Sequence, residues 1–215
     1  MIPNWAGERQ AMVEKQLRRR GIHDPRVLAA MGEIPREEFV PLIWRITAYG
    51  DAPVEIGYGQ TISQPYMTAL MAAELELDGT ETVLEVGAGC GYAAAVLGAL
   101  AERVISVEII PELAELARRN LRRTGRDGNI EVIAGDGSLG YAPLAPYAAI
   151  SVAAGAPDVP PKLLEQLRDP GRLVIPVGEL EDQELRVVYR HGGKIDCRVS
   201  TLCRFVPLRG GEGWA

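Results

Sequence analysis

Through the middle of the chain, short apolar runs alternate with amphipathic stretches, and that alternation sets the elements. Thr82-Val83-Leu84-Glu85-Val86 is an apolar strand running into Gly87, Gly89 and Gly91, after which Ala93-Ala94-Ala95-Val96-Leu97 begins a helix. Further strands are predicted at Arg103–Glu108, Ile130–Ala134, Ala149–Val152 and Arg172–Val177, with helices over Pro111–Thr124 and Pro161–Leu167. Strand and helix in turn predict an α/β fold, a doubly wound and mostly parallel sheet. Beyond Gly178, Leu185–Arg190 and the segment after the Gly192-Gly193 turn read as antiparallel edge strands.

The first sixty residues carry a different pattern. Ala6–Arg20 is helical in period and Gly21 stops it, while Asp24-Pro25 supplies an N-cap and a first-turn proline for a second helix. A short helical turn is expected between Pro35 and Pro41. From Tyr49 to Gln64 the glycines, Asp51 and Pro53 break every period, so an irregular loop with few core anchors is expected. Pro65 then opens a helix whose buried stripe would be Met67, Leu70, Met71 and Leu75. Ser63, just ahead of it, has two readings: an ordinary helix cap or a ligand-facing hydroxyl.

Length and composition bound the function without choosing it. The 215 residues are 47% hydrophobic, enough for one sizeable core, and the net charge of −6 disfavours a phosphate-backbone binder. The arginine clusters at 18–20 and 118–123 lie among acidic residues and read as solvated helix faces. Cys90, Cys197 and Cys203 are odd in number and lack metal-ligand spacing, which favours a reducing cytoplasm and no metal. The start, Met1-Ile2-Pro3-Asn4-Trp5, lacks a signal-peptide pattern, and no run spans a bilayer. A cytoplasmic monomer with neither membrane nor nucleic acid as partner is expected.

The glycine loop is the first candidate for chemistry. In a dinucleotide fingerprint the third small residue would fall at Tyr92, and no Gly-Lys-Ser/Thr follows for a Walker loop. Glu108 closes the second strand roughly 20 residues after the first glycine, where a carboxylate accepts ribose hydroxyls. Asp136, at the end of the third strand, could accept an adenine amine or simply form the turn. Glu85 could sit under a cationic tail. Together these suit S-adenosylmethionine, with its sulfonium and ammonium, better than a pyrophosphate.

Gly59-Gln60-Thr61-Ile62-Ser63-Gln64-Pro65-Tyr66-Met67, the 83–92 glycine segment, Gly135-Asp136-Gly137 and Arg204-Phe205-Val206-Pro207-Leu208 together resemble the protein-L-isoaspartate O-methyltransferase family. The resemblance covers nearly the whole chain. It implies a class I methyltransferase (Rossmann-like) fold in one domain: a helical and loop extension over 1–60, a cofactor core over 61–178, and C-terminal strands over 179–215. It further implies S-adenosylmethionine as donor, S-adenosylhomocysteine as product, and the L-isoaspartyl carboxylate of damaged proteins as acceptor.

Carried across, the resemblance makes Ser63 the active-site residue, with Thr61, Ile62 and Ser63 covering both cofactor and substrate. Thr68, Glu85, Gly87, Gly89, Gly91, Glu108, Asp136 and Gly137 become cofactor contacts, and the strand around Val206 offers backbone to the peptide. A carboxylate acceptor is already ionised at neutral pH and needs no general base, in keeping with only two histidines, His23 and His191, neither in a motif. The chain departs from the family at Ala148, commonly Asp, and Ala153, commonly Thr. Both losses would remove hydrogen-bonding groups near the crevice. They motivate an alternative acceptor, a normal aspartyl or specialised peptide; from other classes, a non-catalytic S-adenosylmethionine-binding protein or a nicotinamide oxidoreductase would fit the same loop.

Overall fold

Strand β3 (Thr82–Val86) lies in the middle of the five parallel strands of a seven-stranded sheet in a computed structural model that describes residues 3–214. Met1 and Ile2, part of the stretch read for targeting, lie outside the described residues. β4 (Arg103–Glu108), β5 (Ile130–Ala134), β6 (Tyr147–Val152) and β7 (Leu167–Gly178) run parallel with β3, whereas β8 (Gln183–His191) pairs antiparallel with β7 and β9 (Lys194–Cys203) antiparallel with β8. The spatial order is β5-β4-β3-β6-β7-β8-β9. Because β4 and β6 flank β3 on opposite sides, the chain reverses its winding there, and the crevice for a ligand opens at the carboxyl ends of these strands.

The two faces of the sheet are covered unequally. Helices α1 (Trp5–Met12), α2 (Pro25–Glu33), α3 (Pro65–Glu74), α4 (Tyr92–Gly98) and α5 (Pro111–Arg123) pack against Val83, Val104, Ala149 and Val174 on one face. The other face, with Leu84, Ile105 and Ile150, is covered by α6 (Pro161–Glu165), Tyr141, Leu144 and Leu208. The helix expected through Leu167 ends at Glu165, because Leu167 already pairs with Tyr147 as the start of β7.

At the N-terminus, α1 passes into a π-helical turn over Val13–Leu17 and a 3-10 turn over Arg18–Arg20, which Gly21 closes at φ +93°. Asp24 caps α2 as the sequence predicts, accepting from the amides of Arg26 and Val27. The loop expected over 49–64 is in part an antiparallel hairpin, β1 (Val54–Gly57) and β2 (Gln60–Ile62). Val54, Ile56 and Ile62 are buried and anchor it, with Gly57, Tyr58 and Gly59 all at positive φ in the turn. In α3 the buried positions are Pro65, Thr68, Ala69, Met71 and Ala72, while Met67 and Leu70 are only partly covered.

The arginine clusters are engaged as expected, Arg18 with Glu14 and Arg118, Arg119 and Arg122 around Glu115. Among the described residues no helix is long and apolar enough to cross a membrane, and no group of three His, Cys, Asp or Glu could hold a metal ion.

Candidate active site

The turn from β3 into α4 is built to admit a ligand. Gly87, Gly89 and Gly91 all adopt positive φ, at +93°, +53° and +88°. A side chain at Gly89 would come within 3.3 Å of Ile56 in the hairpin, so the loop and the β1–β2 ribbon lie close together. Gly91 does something else: a Cβ there would press within 3.2 Å of Ala117 in α5. The glycine that permits close helix packing is therefore Gly91 itself, not position 92, and Gly91 lies off the cleft wall.

The cleft encloses about 800 Å³, open mouth included. Thr61, Ile62, Ser63, Thr68, Gly87, Gly89, Glu108 and Gly137 line it. A second and wider groove, about 1620 Å³ with its mouth, runs alongside between Met67, Leu180, Leu202 and Phe205. Thr61, Ser63, Ala153, Val206 and Pro207 belong to both walls. Ser63 does not cap α3, since the cap is Gln64 with no side-chain hydrogen bond. Ser63 lines both the cleft and the groove instead.

Glu108 is buried at the end of β4 with its carboxylate on the cleft. Its Oε2 accepts from the Gly89 amide at 2.8 Å and its Oε1 from Ile110 N at 3.0 Å. Carboxylate oxygens have about four lone-pair sites, so two remain for ribose hydroxyls. Gly137 lies so close under Val86 that a Cβ would meet it at 2.6 Å, leaving flat backbone at that end of the cleft.

Besides Gly91, two expected contacts are placed elsewhere. Glu85 is fully buried in a row with Ser106 and Ser151 on the neighbouring strands, behind the wall. Ser106 Oγ donates to its Oε2, while Oε1 has no partner, and burial pushes its pKa up to about 8. A neutral carboxyl in the core cannot act as the counter-charge to a cationic tail. Asp136 also stays off the wall: Ser138 N and Oγ donate to Oδ1, and Gly211 N to Oδ2. Burial works against its charge, but the hydrogen bonds from Ser138 and Gly211 prevail and hold it below the usual carboxylate range. The turn-forming reading therefore applies, with Asp136 also anchoring the C-terminal tail. Around Val206 there is no strand, only an isolated bridge in which Gly155 N donates to Val206 O at 2.8 Å and Leu208 N to Gly155 O.

The two departures separate. Ala153 stands on the shared wall, but Ala148 faces a groove at the opposite end of the sheet with Arg168 and His191. Its loss of a polar group does not touch the crevice. Neither His23 nor His191 lines the cleft. Sequence reasoning missed Ile109 and Ile110, which follow Glu108 and add apolar wall beside its carboxylate, and Arg209, which also lines the cleft. The apolar pair directly after a strand-end carboxylate was the available signal; Arg209 gave none.

A cradle of side-chain-free backbone, a strand-end carboxylate and an apolar flank fit an adenosyl group. Comparison with known proteins points the same way. The family model for protein-L-isoaspartate(D-aspartate) O-methyltransferase matches residues 7–213. A protein-L-isoaspartate O-methyltransferase of Herpetosiphon aurantiacus is 50% identical over 98% of this chain and 93% of its own, and one of Methanoculleus marisnigri is 51% identical over 96% and 94%. A solved protein-L-isoaspartate O-methyltransferase superposes with a TM-score of 0.82 at 31% identity, covering 95% of this chain and 66% of that longer one. A Plasmodium falciparum structure described as such an enzyme, in complex with S-adenosyl-L-homocysteine, has a TM-score of 0.78 at 28% identity and covers 94% and 98%. With a family model spanning nearly every residue and half the positions shared with full-length relatives, the chain belongs to the protein-L-isoaspartate(D-aspartate) O-methyltransferase family.

Proposed function

We propose that this chain methylates the free carboxylate of L-isoaspartyl residues in damaged proteins and peptides, with S-adenosylmethionine as donor. The observation that carries the reading is the wall shared by cleft and groove, where Ser63 stands between a nucleoside-shaped site and a peptide-sized one. When bound, S-adenosylmethionine supplies an electrophilic methyl group on a sulfonium.

The chain's own residues then do positioning work. Glu108 holds the ribose, Gly87 and Gly89 let the donor approach the backbone, and Gly137 with Ile109 and Ile110 frames the base. Thr61, Ile62 and Thr68 close the cleft beside the reacting centre. Ser63 donates to the acceptor carboxylate and orients one oxygen toward the methyl carbon. As that O–C bond forms the C–S bond breaks, its electron pair stays on sulfur, and no proton moves. Alignment and exclusion of water suffice, and neither needs a histidine.

The protein works in the cytoplasm as a monomeric single domain, in which the 1–60 extension supplies most of the hairpin, residues 61–178 most of the donor site and 179–215 one side of the groove. Matched isoaspartyl and aspartyl peptides test the reaction. Methyl incorporation confined to the isoaspartyl peptide is expected. Equal incorporation, or a preference for aspartyl, would replace this acceptor with a normal carboxylate, an outcome for which Ala153 on the shared wall is the place to look.

A further inference from the structure

Arg36 is among the largest fully buried side chains, and no carboxylate of the described residues answers its charge. Its acidic neighbours are taken, Glu37 by the Tyr49 hydroxyl and Glu38 by Arg45 and Arg123. The guanidinium is instead held by neutral groups. Nε donates to Ala48 O at 2.7 Å, Nη2 donates to Ser63 O at 2.7 Å, and the carbon of the fork lies 4.9 Å over the Tyr92 ring, while Nη1 has no partner. Burying a cation without a counter-ion is costly, and an apolar side chain would pack this space more cheaply. The position of the charge is therefore informative.

Each partner belongs to a different part of the site. Ser63 carries the acceptor-facing hydroxyl, and Tyr92 opens α4 directly after the glycine loop and lines the cleft. Ala48 ends the 3-10 turn that packs beside the hairpin. Phe39 presses on Tyr92 edge-on at 5.5 Å, fixing the ring from another side. A planar guanidinium binds two carbonyls at fixed angles, which the point charge of a lysine cannot reproduce.

We propose that Arg36 is a positioning residue for methyl transfer, a buried fork that sets the spacing between the acceptor loop at Ser63 and the donor loop at Tyr92. The inference rests on the reaction read above. Near-attack geometry places reacting atoms about 3–3.5 Å apart, and a displacement of about 1 Å costs roughly 100-fold in rate. Arg36 touches neither substrate; it acts through the Ser63 backbone.

The test compares wild type, Arg36→Lys, Arg36→Met, Ser63→Ala and the Ser63→Ala/Arg36→Lys double variant. Melting temperature, S-adenosylhomocysteine affinity, and kcat and KM on an isoaspartyl peptide are measured below each melting transition. Arg36→Lys keeps the charge and one donor, so it remains informative if Arg36→Met fails to fold. The expected result is a kcat lower by about 10- to 100-fold with donor affinity within about threefold of wild type. In the Ser63→Ala background the same change should cost less than about threefold, because the hydroxyl it positions is gone. A folded Arg36→Lys with wild-type kcat, or an equal loss in both backgrounds, would reduce Arg36 to a core clamp and overturn the proposal. If wild type methylated no carboxyl peptide, the proposed reaction itself would fall, an outcome visible before any variant is read.

Discussion

Gly89 donates its backbone N–H to Glu108 Oε2 at 2.8 Å, tying the glycine loop to the carboxylate that ends β4. One side chain thus holds the loop and lines the cleft. Glu108→Ala should weaken S-adenosylhomocysteine binding by the loss of a charge-assisted hydrogen bond, about 1.5–3 kcal/mol, and leave the Gly89 amide unmet. Glu108→Gln should recover part of that loss, because its amide oxygen can still accept from Gly89. Titration calorimetry on the three proteins checks both; wild-type affinity in Glu108→Ala would remove the ribose assignment.

Ser63→Ala separates chemistry from binding. Its hydroxyl caps no helix, so the substitution should leave the melting temperature within about 1–2 °C while kcat falls roughly 10- to 1000-fold, the range for removing one positioning donor. Donor affinity should stay near wild type. A loss confined to donor affinity would place Ser63 on the cofactor and not on the acceptor.

Glu85 makes a prediction about pH. Folding raises its pKa from 4.5 to about 8, chiefly by burial, so below pH 4.5 both folded and unfolded chains carry the proton and the contribution is fully present. Between pH 4.5 and 8 the unfolded chain ionises and the folded one does not, and stability falls by up to about 1.4 kcal/mol per pH unit. Glu85→Gln, which keeps an acceptor for Ser106, should remove that slope. Urea unfolding of both proteins from pH 4.5 to 8.5 measures it. Parallel curves would mean that Glu85 is ionised in the folded chain.

The C-terminal tail supports the far end of the donor site. Gly211 N binds Asp136, Glu212 N donates to Ser138 Oγ at 3.0 Å, and Trp214 Nε1 donates to Gly155 O at 3.0 Å. A chain ending at Gly210 should therefore bind S-adenosylhomocysteine about 3- to 30-fold more weakly while retaining its far-ultraviolet circular dichroism, since the hydrogen bonds lost are spread over a surface segment. An unchanged dissociation constant would show that the 137–139 turn holds without its tail.

The elements that sequence reasoning placed best are those whose pattern is local. β4 and β5 have the bounds read from their apolar runs, and Asp24-Pro25 caps α2 because capping needs only the next three residues. The hairpin was obscured because its strands are four and three residues long and broken by glycines, although Val54, Glu55 and Ile56 do alternate buried and exposed. Glu85 and Asp136 were misplaced for a common reason. A carboxylate beside glycines has the same sequence signature whether it faces a ligand, a serine on the next strand as Glu85 does, or the amide and hydroxyl of its own turn as Asp136 does. Arg36 carried no signal at all, since burial of an arginine depends on carbonyls 12 and 27 positions away.

Five residues, Thr61, Ser63, Ala153, Val206 and Pro207, are common property of the cleft and the groove. With the nucleoside in the cleft and the peptide in the groove, as proposed, an evolving lineage could not separate the two specificities at those positions: a change that retunes which peptide is accepted would also alter how the nucleoside is held. Drift in acceptor preference is then freest on the outer groove, at Leu180, Leu202 and Met67, which the donor site does not share.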